Sequence, residues 1–215
     1  MTSCCRAGPC EQIFKPRLAR KSLERHRKKG LDDLEQRMIA AASTGGLDGA
    51  RVLEIGGGIG TMQSELLAAG AANGEIVELV AAWEPYAREL ARERGFEERT
   101  SFRVADVLES PESVEDADVV LLNRVVCCSP DGIALASRAA RLTRSTLVLS
   151  FPRDVVWVRM GLRLVNLGMR VIGRSFRVFL HPPADLVSSA EATGLTLVES
   201  GTRRMWAFAA FCRET

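Results

Sequence analysis

Between residues 51 and 55 the chain reads Arg-Val-Leu-Glu-Ile, an apolar segment broken by one acid, and it runs straight into Gly56-Gly57-Gly58-Ile59-Gly60. From Thr61 to Ala69 the apolar residues return at helical spacing, which predicts a buried parallel strand, a glycine turn and a helix in succession. Further strands are expected at 75–79, 101–105, 118–123, 145–151, 195–200 and 204–212, and helices at 84–94, 131–142 and 183–193. Strands alternating with helices imply right-handed crossovers, and the last two strands, joined around Gly201-Thr202, imply an antiparallel hairpin at a sheet edge. The expected fold class is therefore α/β, a doubly wound, Rossmann-like sheet of seven mostly parallel strands that closes in that hairpin.

The glycine spacing separates ligand classes. A dinucleotide fingerprint would need Gly or Ala where Thr61 or Gln63 stands, and no Gly-Lys-Ser/Thr follows to make a phosphate loop. Glu54-x-Gly56-x-Gly58-x-Gly60 fits a different register. In that register the chain resembles the class I S-adenosylmethionine-dependent methyltransferases, whose first motif is an acid followed by alternate glycines. The resemblance covers roughly residues 31–212. Asn123-Arg-Val-Val-Cys-Cys before Pro130-Asp131, Pro152-Arg-Asp after the fifth strand and His181-Pro-Pro narrow it to a bacterial group loosely similar to magnesium-protoporphyrin O-methyltransferases.

The resemblance implies S-adenosylmethionine as cofactor, with Glu54, Gly56, Gly57, Gly58 and Gly60 around its amino-acid part. A carboxylate at the end of the second strand should accept hydrogen bonds from both ribose hydroxyls. Glu78, 18 positions after Gly60, is the choice; Glu84 before Pro85 is the rival, and it would need a strand of about nine residues. Asp106, with Val107 beside it, ends the third strand where the family's acid meets the adenine amino group, although Asp also begins turns. Asn123 and Arg124 follow the fourth strand, where the reacting methyl group is expected, and are read either as orienting cofactor and acceptor or as loop-capping side chains. His181, ahead of Pro182-Pro183, is read as a general base or as a structural hydrogen-bonding group.

Composition changes this picture little. A 215-residue chain is long enough for one full α/β core, and a net charge of +2 gives no general polyanion signal. The first residues lack the apolar stretch of a secretory signal and no apolar run is long enough to span a bilayer, so the expected location is cytoplasmic. Cys4, Cys5, Cys10, Cys127 and Cys128 offer thiol or metal chemistry, but no Cys-x-x-Cys pair is present and adjacent cysteines chelate poorly. No metal site is therefore expected, and packing is the ordinary fate of such thiols.

Two segments flank the core reading. Residues 1–30 form a Cys-containing arm whose stretch 13–30 is basic and amphipathic, expected as a helical cap over the cofactor, with RNA or an anionic membrane surface as the other partners it suits. Domain 31–215 carries an insertion at about 153–180, where apolar residues at helical intervals interleave with Arg153, Arg159, Arg163, Arg170 and Arg174. It is expected as a lid, packed into the core or lining a pocket for an apolar or aromatic acceptor. The function expected is methyl transfer to a small metabolite by in-line displacement. RNA or protein methylation through the basic arm, or cofactor binding without catalysis, are the alternatives, and nucleic acid is the less favoured partner.

Overall fold

The computed structural model describes residues 7–110 and 113–213. Five strands pair in parallel: β1 (Arg51–Ile55), β2 (Asn73–Glu78), β3 (Thr100–Val104), β4 (Ala117–Leu122) and β5 (Thr143–Pro152). β6 (Leu195–Arg203) and β7 (Trp206–Arg213) complete a seven-stranded sheet of order β3-β2-β1-β4-β5-β7-β6, in which β7 runs antiparallel to both neighbours. β1 lies between β2 and β4, so the order reverses there. A crevice beyond the carboxyl ends of these strands is the place where such a sheet takes ligands.

The hairpin turn differs from the expected one. Arg203 faces Trp206, which puts the turn at Arg204-Met205 and leaves Gly201 within β6. Gly201 is small because a β-carbon there would come within 2.6 Å of the Phe208 ring and 2.5 Å of the Arg37 guanidinium.

Strand periodicity sorts side chains onto two faces. Leu53, Ile55, Val120 and Leu122 pack on α6 (Gly132–Leu142) and α8 (Pro183–Glu191) through Leu135, Ala136, Ala139 and Leu186. Val52, Val119 and Leu121 point the other way, onto α3 (Asp33–Ala42) and α4 (Thr61–Ala68) through Leu34, Met38, Met62 and Leu66. A third cluster belongs to the arm. Cys10 on α1 (Ala7–Glu11) and Ala19 and Leu23 on α2 (Pro16–Lys29) are buried against Ile59, Val80, Trp83, Phe176 and Leu90, the last on α5 (Glu84–Glu93). Arg27 ties α2 to α5 through Glu89 and Glu93. The insertion folds as α7 (Val156–Val171), which buries only Val158 and Leu162. No helix among the described residues is long and apolar enough to cross a membrane.

Candidate functional site

The glycine turn and the strand tips enclose a cavity of about 410 Å³, within the size range of ligand pockets. Gly56, Gly57 and Gly58 line it beside Glu54, Glu78, Asp106 and Asn123, while Phe14, Arg25, His26 and Leu31 close it from the arm side. Gly56, Gly58 and Gly60 all have positive φ, between 58° and 75°. At Gly56 two constraints coincide, since a β-carbon would lie 2.6 Å from Val125 as well as in the left-handed region. Gly56→Ala should therefore cost about 2–4 kcal/mol from strain and overpacking, lowering the thermal midpoint by roughly 4–16 °C. Adding Val125→Ala should restore part of the loss; no recovery in a double-mutant cycle would show that backbone strain alone is responsible.

The two carboxylates of the turn are held by backbone. Glu78 ends β2 and accepts from Gly58 N at 3.1 Å and Leu79 N at 2.9 Å. Burial raises its pKa against these bonds. Glu54 is 2% exposed and accepts from Gln63 N, in the first turn of α4, at 3.1 Å. Burial pushes it up to about 8, with repulsion from Glu35 and Glu78 adding to the shift. Glu35, Glu54, Glu78, Asp106, Glu109 and Asp131 all line the cavity against Arg25, His26 and Arg124, an acidic surround that suits a cationic ligand.

Asn123 and Arg124 sit beyond β4 in a network that joins three elements. Asn123 Nδ2 donates to Glu35 Oε1 at 3.0 Å, and Asn123 Oδ1 accepts from Ser150 Oγ at 2.9 Å. Ser150 in turn accepts from Arg124 N at 2.8 Å. The Arg124 side chain pairs with Asp32, stands 5.3 Å over the Trp206 ring and holds a backbone φ of 61°. Asp32 and Glu35 are themselves locked as the reciprocal cap of α3. Both residues line the cavity, and both are tied into the structure of this loop.

The remaining expected groups divide. Asp106 lines the cavity, its Oδ1 accepting from Leu108 N at 2.9 Å in an Asx turn, and Val107 is buried beside it. His181 does not reach the cavity. Its Nε2 lies 3.1 Å from Val126 O and 2.9 Å from Ser129 O, so that nitrogen carries the proton and braces the β4–α6 loop from behind. Cys10 and Cys128 both line the cavity and share the arm's cluster, whereas Cys127 is buried and bonds to Arg124 O; Cys4 and Cys5 lie outside the described residues. No residue of α7 lines the cavity, because the helix stands clear of the strand tips. Glu84 opens α5 and pairs with Arg88 outside the cavity.

Three lining groups fall outside the residues that sequence reading singles out. Trp83, in the short 3-10 turn after β2, packs 3.1 Å from where a β-carbon on Gly58 would stand and tilts against Phe14 at 6.2 Å. His26, on α2 of the arm, is half-buried with Nε2 4.0 Å from Glu65, and desolvation lowers its pKa despite that carboxylate. Glu35 could have been found from the Asp32-x-x-Glu35 capping pattern, which also marks α3.

Residues 53–151 match a family model described as a methyltransferase domain. No curated protein matches the chain in sequence. In shape it is similar to magnesium protoporphyrin IX methyltransferase from Synechocystis PCC 6803 with bound SAH, at 20% identity and a TM-score of 0.69 over 95% of this chain and 99% of that one. The structure of that enzyme with bound SAM gives 19% and 0.66, covering 95% and 97%. An O-methyltransferase family protein from Burkholderia thailandensis gives 20% and 0.71, covering 96% of this chain and 63% of that one. The glycine turn and the sheet order agree with these likenesses: residues 53–151 read as a methyltransferase domain, on the fold of a methyltransferase whose structures hold SAH and SAM.

Proposed function

We propose that the chain methylates a small apolar or aromatic metabolite in the cavity above β1, β2 and β4. The observation that carries this reading is the apolar wall of the cavity. Phe14 and Leu31 from the arm side and Trp83 from the turn after β2 line it beside the glycines, a surface that suits a small apolar or aromatic acceptor. The arm's basic face is also partly neutralised, since Arg27 pairs with α5, Arg20 with Glu24 and Arg25 with Glu35.

Bound in this cavity, S-adenosylmethionine supplies an activated methyl group for in-line displacement by the acceptor. Glu78 is assigned to the ribose hydroxyls, Asp106 with Val107 to the adenine, and Glu54 with the glycine turn to the amino-acid part. Asn123 and Arg124, fixed by Glu35, Ser150 and Asp32, hold the β4 loop against which the acceptor aligns. Alignment is the main contribution such a site makes. For a hydroxyl acceptor we assign proton removal to His26, the imidazole that lines the cavity, and a loop-positioning role to His181.

Untargeted mass spectrometry of a metabolite extract incubated with the chain and S-adenosylmethionine should reveal a product one methylene heavier, dependent on both. Labelled methyl appearing only in RNA or protein would reject the small-acceptor reading. With the acceptor in hand, His181→Gln should keep the pH profile of kcat while lowering thermal stability, and His26→Gln should remove its acidic limb. An unchanged profile in both variants would mean that the acceptor ionises without an enzymatic base.

A further inference from the structure

Eight of the twelve large apolar side chains exposed among the described residues lie between positions 156 and 172. At about 100° per residue, Val156, Trp157, Met160, Leu164, Leu167 and Val171 fall on one face of α7, spanning about 100° of arc. These six are between 56% and 77% exposed. Val158 and Leu162, on the opposite side of the helix, are 1% and 8% exposed and attach it to the body. Asn166 pins the same side to the returning chain through Val178 N and O. The outward apolar face is thus fixed in place.

Charge says what this face suits. Arg159, Arg163 and Arg170 form a stripe along one flank, Arg159 being paired with Asp154 just ahead of the helix, Gly161 and Gly168 lie on the other, and residues 156–171 contain no acid. Pairing with a second copy in antiparallel two-fold fashion would set Arg163 and Arg170 against their own images with no acid of the helix to offset them. An apolar face edged by arginines, with a tryptophan in its first turn, matches the boundary of an anionic bilayer, where the apolar side chains enter and the guanidiniums meet headgroup phosphates. Sixteen residues, about 24 Å of helix, are too short and too charged to span the hydrocarbon.

We propose that α7 is a membrane-docking helix that lies flat on an anionic lipid surface, its outer apolar face inserted and its arginine flank on the phosphates. This role is independent of the acceptor's identity. The exposed basic residues of α2 add mainly charge, because that helix buries Ala19 and Leu23 and leaves Leu18 as its one large apolar side chain at the surface.

The test is co-sedimentation of the full chain with vesicles of phosphatidylcholine alone or with one-third phosphatidylglycerol. Anionic vesicles should bind about a hundredfold more tightly, with the preference reduced by salt. Leu164→Glu combined with Leu167→Glu changes two exposed side chains, so circular dichroism should stay unchanged while vesicle binding is lost; Arg163→Glu combined with Arg170→Glu should remove the lipid preference. Lys28→Glu combined with Lys29→Glu on α2 should leave most binding intact. No sedimentation with anionic vesicles, binding that survives the leucine double variant, loss of binding with the α2 variant alone, or a dimer in light scattering that the leucine variant dissolves would each overturn the proposal.

Discussion

Glu78→Gln should weaken S-adenosylhomocysteine binding by about 30- to 1000-fold, equivalent to about 2–4 kcal/mol, as charge-assisted hydrogen bonds to ribose are lost. The substitution also disturbs the unliganded turn. Glu78 uses both carboxylate oxygens at once, one for Gly58 N and one for Leu79 N, and an amide can accept with only one of its two heads. The other head would present N–H to N–H, so the glycine turn loses a fixed point as well as the ribose anchor. Glu84→Gln is the matched control: Glu84 interacts with Arg88 on its own helix, and calorimetry should find affinity within about twofold of the parent chain. A large loss at Glu84 and none at Glu78 would reverse the assignment.

That pair of variants also shows where sequence patterns suffice. The apolar run of β2 ends at Glu78, as the spacing from Gly60 suggests, because a buried strand ends where its apolar residues do. The β1 turn is legible for the same local reason: strand, acid, glycines and helix follow within a few positions. Long-range partners leave no such trace. Glu35 meets Asn123 across 88 positions, and nothing near either residue specifies the contact. His181 sits beside a promising loop in sequence, yet its ring points into that loop's backbone, an orientation set by tertiary packing on Gly132, where a β-carbon would lie 2.3 Å from Nε2. His26 was hidden within a run of surface-type basic residues. The insertion's period was clear, but period alone does not say which of two apolar faces is inward; only Val158 and Leu162 make that contact.

Glu54 should impose a pH dependence opposite to that of an ordinary paired carboxylate. Its pKa in the folded, ligand-free chain is raised from 4.5 to about 8, first by burial. Between those values the folded state holds a proton that the unfolded state has released, so stability falls as pH rises, with a slope approaching about 1.4 kcal/mol per pH unit. His26 opposes this below 6.5: burial lowers its pKa, the unfolded chain binds the extra proton there, and stability rises with pH. Above pH 6.5 the His26 contribution fades and Glu54 dominates up to pH 8, with Glu78, whose pKa burial also raises, acting in the same direction. Glu54→Gln should make the fall of the thermal midpoint across that window shallower, leaving only the Glu78 share, and stabilise the ligand-free chain at its alkaline end. A sulfonium ligand favours the ionised carboxylate, so binding should release protons and tighten as pH approaches 8, with calorimetric enthalpies that depend on the buffer's ionisation enthalpy more strongly in the parent chain than in the variant. A parent chain that grows more stable from pH 6.5 to 8, or that binds without proton release, would mean that Glu54 is already ionised in the empty cavity and that the acidic surround is neutralised by another route.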